Sequence, residues 1–229
     1  MAYVKRSKKT GKKRYTRKSS NLNSKIARIA KTVALRQQET KHSVLNWGTK
    51  ELYHQGSTLV SQNLIDVTQG VNDTNHRIGD EITLRGLAVY VRFESKWDRP
   101  NTNFRLIIGR ARHSIAGSPN ILKAITGTNV QDPVDMEQVF KVHHNRVYRF
   151  GHQNTHTTGT PGSNSPTTFF RKIWIPLNNA KYKFLNQNSN QGVKFNIAMW
   201  AYAFDTSYDL TTDNIGSITV SGELFFKDA

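Results

Sequence analysis

Nine lysines and arginines, Lys5, Arg6, Lys8, Lys9, Lys12, Lys13, Arg14, Arg17 and Lys18, stand in the first 18 positions, with no Asp or Glu among them. The chemistry open to such a run is phosphate neutralisation. Each cation that meets a phosphate releases a condensed counterion, so binding is strong, salt-sensitive and blind to base sequence. Ser7, Thr10, Gly11, Ser19 and Ser20 separate the charges, and the large apolar groups before Leu22 are Tyr3, Val4 and Tyr15. So little apolar surface cannot offset the entropy of ordering, and the run is expected to stay disordered until it meets a polyanion. Tyr3 and Tyr15 can stack on unpaired bases, which favours single strands over duplex. A Lys/Arg cluster of this kind also serves as a nuclear-import signal, a role compatible with the first.

Other reactive groups are scattered. His143 and His144 are adjacent, and neighbours on a strand point to opposite faces, so they do not make a ligand pair. His152 and His156 fall in a polar loop rich in Thr, Gly, Asn, Ser and Pro. Asp205, Asp209 and Asp213 recur every four residues, yet they lack the ligand spacing and glycine turn of a calcium loop and read as a solvated acidic segment. There is no phosphate-binding loop ending in GK[ST], no HExxH and no GxSxG. With no cysteine, thiolate metal sites and disulfides are excluded. The expectation is a chain without catalytic residues, metal or cofactor, and not an enzyme.

The positions that carry these groups divide by charge. Residues 1–41 hold 14 basic side chains and one acid, Glu39, so they account for +13 of the net +17. The remaining 188 residues hold 19 basic and 15 acidic side chains. This predicts a basic nucleic-acid-binding arm over 1–41 and one folded domain over 42–229. Within the arm, Leu22, Ile26, Ile29, Ala30 and Val33 follow helical spacing from about 21 to 38, with Lys25, Arg28, Lys31 and Arg36 on the complementary faces. Asn21 or Ser24 is placed to cap it. The apolar stripe is narrow and marginal alone. It lacks an aromatic anchor, which favours a helix ordered by protein neighbours and nucleic acid over a membrane-surface helix.

The domain is rich in β-branched and aromatic residues, and Trp47, Trp97, Trp174 and Trp200 are spread along it. Its longest apolar run, Ile197 to Phe204, is far below the ~20 residues that span a bilayer. No apolar stretch follows the basic start, so neither a secretory leader nor membrane insertion is expected. The clearest strand is Ile82 to Glu94: Ile82 and Leu84 share one parity, and Leu87, Val89, Val91 and Phe93 the other. The change at Gly86 predicts a bulge or bend. Phe104 to Arg112, Val139 to Phe150, Thr168 to Leu177, Val193 to Phe204 and Ser217 to Lys227 follow, with weaker strands at Ser43 to Tyr53 and Lys181 to Phe184. Strands joined through turns, without intervening helices, predict an all-β antiparallel sandwich or barrel. Ser114 to Met136 and His152 to Thr167 are long connections, one helical turn being expected at Ile121 to Ile125. Their length points to display or subunit contact.

Two passages give the chain a family likeness. One is Asn75-His76-Arg77-Ile78-Gly79-Asp80-Glu81-Ile82 running into Thr83-Leu84-Arg85-Gly86-Leu87-Ala88-Val89, and the other is the finish, Gly222-Glu223-Leu224-Phe225-Phe226-Lys227-Asp228. With the arm and the basic helix, these resemble capsid proteins of small eukaryotic viruses with circular single-stranded DNA genomes, the circovirus-like group. The arm here is richer in Lys than the Arg-dominated arms of typical members. The resemblance implies a single eight-stranded antiparallel jelly roll, with strands lettered B to I at 43–53, 81–94, 104–112, 138–150, 168–177, 181–184, 193–204 and 216–227. It also implies a shell of sixty copies of the chain, an arm that binds single-stranded genome, DNA favoured over RNA, and contact with the nuclear import machinery. Location would be the virion, and the host nucleus during infection. A satellite RNA-virus shell shares the plan, and a cellular protein with a basic tail is the rival from another class. Sixty arms of +13 supply roughly 800 positive charges, enough to neutralise about as many phosphates, which is only part of a genome that encodes this protein and a replication protein.

Overall fold

A computed structural model of the chain describes residues 22–37, 40–70, 76–96, 99, 101–112, 120–125, 128–149, 168–205 and 210–228. The basic run from Lys5 to Lys18, Asn21, Asn75, Trp97, His152, His156 and Asp209 lie outside the described residues. The chain divides into two compact units, one ending at Glu39 and one over Thr40–Ala229.

The first unit contains α1 (Leu22–Gln37). Its bounds leave Ser24 inside the helix, so Ser24 is not the cap. The second unit contains eight strands: β1 (Lys41–Tyr53), β2 (Ser57–Ser61), β3 (Glu81–Ser95), β4 (Thr102–Ala111), β5 (Val139–Arg149), β6 (Thr168–Lys183), β7 (Asn196–Asp205) and β8 (Asn214–Asp228). They form two antiparallel sheets, β1-β8-β3-β6 and β2-β7-β4-β5. Lettered B to I in chain order, these are B-I-D-G and C-H-E-F, the eight-stranded antiparallel jelly roll. Lys41, counted with the arm on charge, is the first residue of β1.

Two strand assignments differ from expectation. Residues 57–61, STLVS, form the second strand, a short edge strand with one fully apolar inward position, Val60. Residues 168–177 and 181–184 are not two strands. Residues 168–177 and 181–183 belong to β6, which carries Asn178 and Asn179 at φ of 54° and 57°, and Phe184 beyond it forms an isolated bridge to Gly192. Asparagine tolerates this left-handed region, so two extra residues bulge out without ending the strand. The partners move from Leu84↔Ala180 to Gly86↔Pro176 across them. β6 is an edge strand, where a proline such as Pro176 is accepted. The letters therefore shift: 81–95 is D, the third strand in the B to I series, 102–111 is E, the fourth, and 139–149 is F, the fifth.

The bulge at Gly86 is present. β3 passes from Leu84↔Phe226 to Gly86↔Phe225, gaining one residue on β8. That single insertion turns Ile82 and Leu84 to the same side as Leu87, Val89, Val91 and Phe93, and all six are buried in one core between the sheets. Phe104, Leu106, Ile108, Ile218, Val220, Leu224 and Phe226 join them. A second apolar cluster lies on the far side of β4 and β7, where Ile107, Ala198, Trp200 and Tyr202 meet Ile121, Leu122 and Val139. This explains the unbroken run from Ile197 to Phe204: a strand buried on both faces has no polar parity. Ile121 to Ile125 is not helical. Leu122 pairs antiparallel with Val134, and the connection lies along its own sheet as a cover.

Candidate functional site

Of the cations expected to bind phosphate, Lys25 and Arg28 stand exposed on α1, and Lys31 lies in the same helix. Leu22, Ile26, Ile29 and Val33, the apolar stripe, are exposed as well. The helix thus presents cations and aliphatic side chains together, held by its own backbone bonds and by Thr32 Oγ1 donating to the Arg28 carbonyl at 2.9 Å.

A second surface, not singled out from the sequence, lies on the outer face of the β1-β8-β3-β6 sheet. The strand register sets Tyr90 beside Lys172 and Arg92 beside Phe170 across β3 and β6, with Ser221 and Thr219 next to them on β8. Phe170 is 68% exposed, Trp174 53% and Tyr90 38%. Lys172 Nζ sits 5.1 Å from the Tyr90 ring centre, and the Arg92 guanidinium 6.0 Å from that of Phe170. Arg92 also pairs with Glu94 at 2.5 Å. Trp174 continues the row, tilted against Phe225 at 5.5 Å between ring centres. Its indole lies over Gly86, where an added Cβ would come within 2.2 Å of the ring, so the glycine makes room for the tryptophan. The signal was in the strand parities: Tyr90 and Arg92 alternate with Val89 and Val91, and Phe170, Lys172 and Trp174 alternate with Ile173 and Ile175.

Two arginines are structural. Arg77, in the first family-like passage, is fully buried beneath the Phe184 ring at 3.8 Å. It donates to the carbonyls of Val67 (3.3 Å), Asn186 (3.1 Å), Gln187 (2.7 Å), Ser189 (3.4 Å) and Gly79, and lies 3.5 Å from Asp80. Asp228, in the second passage, accepts from the Ile78 amide at 2.9 Å and pairs with Lys41 at 2.6 Å. The two passages therefore meet in space and close one end of the sandwich. Arg105 is buried under the 120–139 connection, donating to Asn145 Oδ1 at 3.0 Å, to the Asn129 carbonyl at 2.9 Å and to the Asp132 carbonyl at 2.5 Å. Burial holds its pKa below the ordinary value.

The histidines and aspartates take separate partners. His143 Nε2 accepts from Arg110 Nε at 3.1 Å, and burial, Arg110 and Lys141 together depress its pKa to about 4. His144 Nε2 bonds the Tyr148 hydroxyl at 2.9 Å, and burial lowers its pKa also. Asp205 is not solvated: it is fully buried, accepting at 3.1 Å from both the Asn101 amide and the Thr102 hydroxyl. Its carboxylate anchors the start of β4 to the end of β7, while Asp213 faces Arg99 at 3.9 Å. Among the described residues no three His, Cys, Asp or Glu side chains converge on a metal-sized site. No helix among them is long and apolar enough to cross a membrane.

No family model matches the chain, and no curated protein matches it. Among solved structures it is similar to VP2 of an infectious bursal disease virus subviral particle, at 9% identity and a TM-score of 0.33 over 83% of this chain and 33% of that one. A virus-like particle of the nodavirus of the giant freshwater prawn Macrobrachium rosenbergii gives 15% identity and 0.32 over 83% and 94%. Deformed wing virus, a honeybee pathogen, gives 11% and 0.29 over 84% and 45%. The chain thus spans a third of the first of these proteins and most of the second.

Proposed function

We propose that the chain is the shell-forming subunit of a small icosahedral virus, sixty copies closing a T=1 particle around a single-stranded genome, DNA in preference to RNA. The observation that carries this reading is the coupling of a B-I-D-G and C-H-E-F sandwich to an arm holding +13 of the net charge. A sandwich of this order has flat sides and loop-bearing ends that tile with copies of itself, and a cationic arm condenses nucleic acid without reading its sequence. Lys5, Arg6, Lys8, Lys9, Lys12, Lys13, Arg14, Arg17 and Lys18 are the residues assigned to phosphate, with Lys25, Arg28 and Lys31 extending the contact along α1. The same cluster serves nuclear import. A circovirus-like origin agrees with the two passages that Arg77 and Asp228 tie together.

The test is the size and content of the full chain after expression. Electron microscopy and light scattering are expected to give closed particles of roughly 1.6 MDa, sixty chains of 26.1 kDa. A monomer or small oligomer at high concentration would overturn the reading in favour of a cellular protein with a basic tail. Deleting residues 1–18 is expected to remove co-purifying nucleic acid while leaving the β-sheet circular dichroism unchanged.

A further inference from the structure

We propose that the outer face of the β1-β8-β3-β6 sheet is a second nucleic-acid site, on which unpaired bases stack against Phe170, Tyr90 and Trp174 while Arg92 and Lys172 meet the phosphates. This deepens the packaging reading and rests on it for the nature of the strand. The face has the composition of a single-strand platform, in which aromatic rings supply base contact and cations track the backbone. Tyr90, Arg92, Phe170 and Lys172 line a hollow of about 380 Å³ floored by Thr219 and Ser221. Two rings already carry a cation across them, Lys172 over Tyr90 and Arg92 over Phe170, so each base position has a positive charge within reach. Glu94, two residues beyond Arg92 on the same face of β3, is paired with that arginine. From Phe170 to Trp174 and Phe225 the rings follow one sheet face, and a strand advances about 3.4 Å per residue, so the row is long enough for several nucleotides.

The occupant is chosen by charge. A basic helix such as α1 from a neighbouring copy would bring Lys25 and Arg28 against Arg92 and Lys172, a like-charge pairing. A polyanion matches both surfaces. Flat rings exposed beside cations suit unpaired bases better than duplex, whose bases are stacked on one another. The near balance of charge over 42–229 does not oppose this, because the surplus is local.

The experiment uses the full chain and a fluorescent oligothymidylate at about 1 M salt, where the Debye length is about 3 Å and the arm's contribution is suppressed. Phe170→Ala and Tyr90→Ala are each expected to weaken binding about tenfold and to erase the preference for single strand over duplex. Val147→Ala, an exposed control on β5, is expected to change nothing. Photocrosslinking of a bromouracil-substituted strand to the unsubstituted chain is expected to label peptides holding Tyr90, Phe170 or Trp174. Unchanged binding by both variants together with crosslinks confined to residues 1–37 overturns the proposal. So does unchanged binding with loss of particles, which would make the face a contact between copies. If the chain forms no particles and the variants still lose binding, the packaging reading fails and the stacking site stands.

Discussion

The two sheets of this sandwich share one core and treat their outer faces in opposite ways. Behind β4 and β7 the 120–139 connection lies down as a cover, so Trp200 and Tyr202 are buried and Tyr202 is pushed up to about 12 by desolvation. Behind β3 and β6 nothing of comparable size among the described residues covers Tyr90, Phe170 and Trp174, and they stand exposed among cations. Both faces are aromatic. What separates them is whether the chain's own connection supplies the partner. A face sealed by its own chain contributes to stability, and a face left open with rings and cations is available for something outside the fold.

The contrast is broken most directly by cutting one tryptophan from each face. Trp200→Ala removes a fully buried ring and is expected to destabilise the body by about 3–5 kcal/mol, with the cavity left between β7 and the 120–139 cover. Trp174→Ala, on the open face, is expected to cost less than about 1 kcal/mol. Denaturant midpoints of the two variants decide the matter, and equal losses would mean that the open face is structurally sealed after all.

The arginines give the next test. Arg77→Met keeps an apolar stem under Phe184 but strips donors from five carbonyls, so a loss of about 3 kcal/mol is expected. Arg92→Met on the open face removes a solvated pair with Glu94, whose expected loss is under about 1 kcal/mol. Thermal unfolding of both proteins, side by side, measures the difference between an arginine buried in the fold and one on the solvent face of a sheet.

Acid separates the sheets on a smaller scale. His143 on β5 has its pKa depressed from the ordinary 6.5 to about 4, so the folded state resists a proton that the unfolded chain accepts. Stability is then complete above about pH 6.5 and falls as pH drops towards 4. Between pH 7 and pH 5 the loss, moderated by the partly open site, is expected to be about 1–2 kcal/mol. Amide exchange is expected to quicken in β5 and its partner β4 before β6. His143→Gln, which cannot titrate, is expected to flatten that dependence.

Much of the body could be read from residue order because its strands alternate. The parity change at Gly86 identified a bulge, and the bulge is what lets one strand keep both halves of its apolar set in a single core. Parity failed where a strand was too short or was interrupted. STLVS offers one buried side chain, too few to establish a period, and Asn178-Asn179 looks like a turn because asparagine favours one, although here it only bulges an edge strand. Asp205 was misjudged because its loop neighbours are polar, whereas its partners, Asn101 and Thr102, lie about a hundred residues away in sequence. The open sheet face was missed for a different reason: inward parity was used to find the core, and the outward residues of the same strands were left unread. Lys25 and Arg28 stand exposed, while the phosphate-binding role of the arm is a matter for the deletion of residues 1–18.

The smallest expected effect concerns the start of β1. Lys41 is one of the 14 cations counted before residue 42, but its ammonium is committed to Asp228 at 2.6 Å and to the His76 carbonyl at 3.1 Å. Asp228 also receives the Ile78 amide, so this carboxylate joins the first strand, the last strand and the turn that enters β3. Asp228→Asn keeps a side-chain acceptor for Ile78 and removes the charge, and the expected cost is about 1 kcal/mol, as for a partly buried ion pair. Raising salt is expected to shrink the gap between Asp228→Asn and the parent in unfolding experiments, because screening weakens the pair that the variant has already lost. The absence of any gap between variant and parent, at low salt as at high, would show that Asp228 acts through its hydrogen bond to Ile78 alone, and Lys41 would then return to the pool of cations available to phosphate.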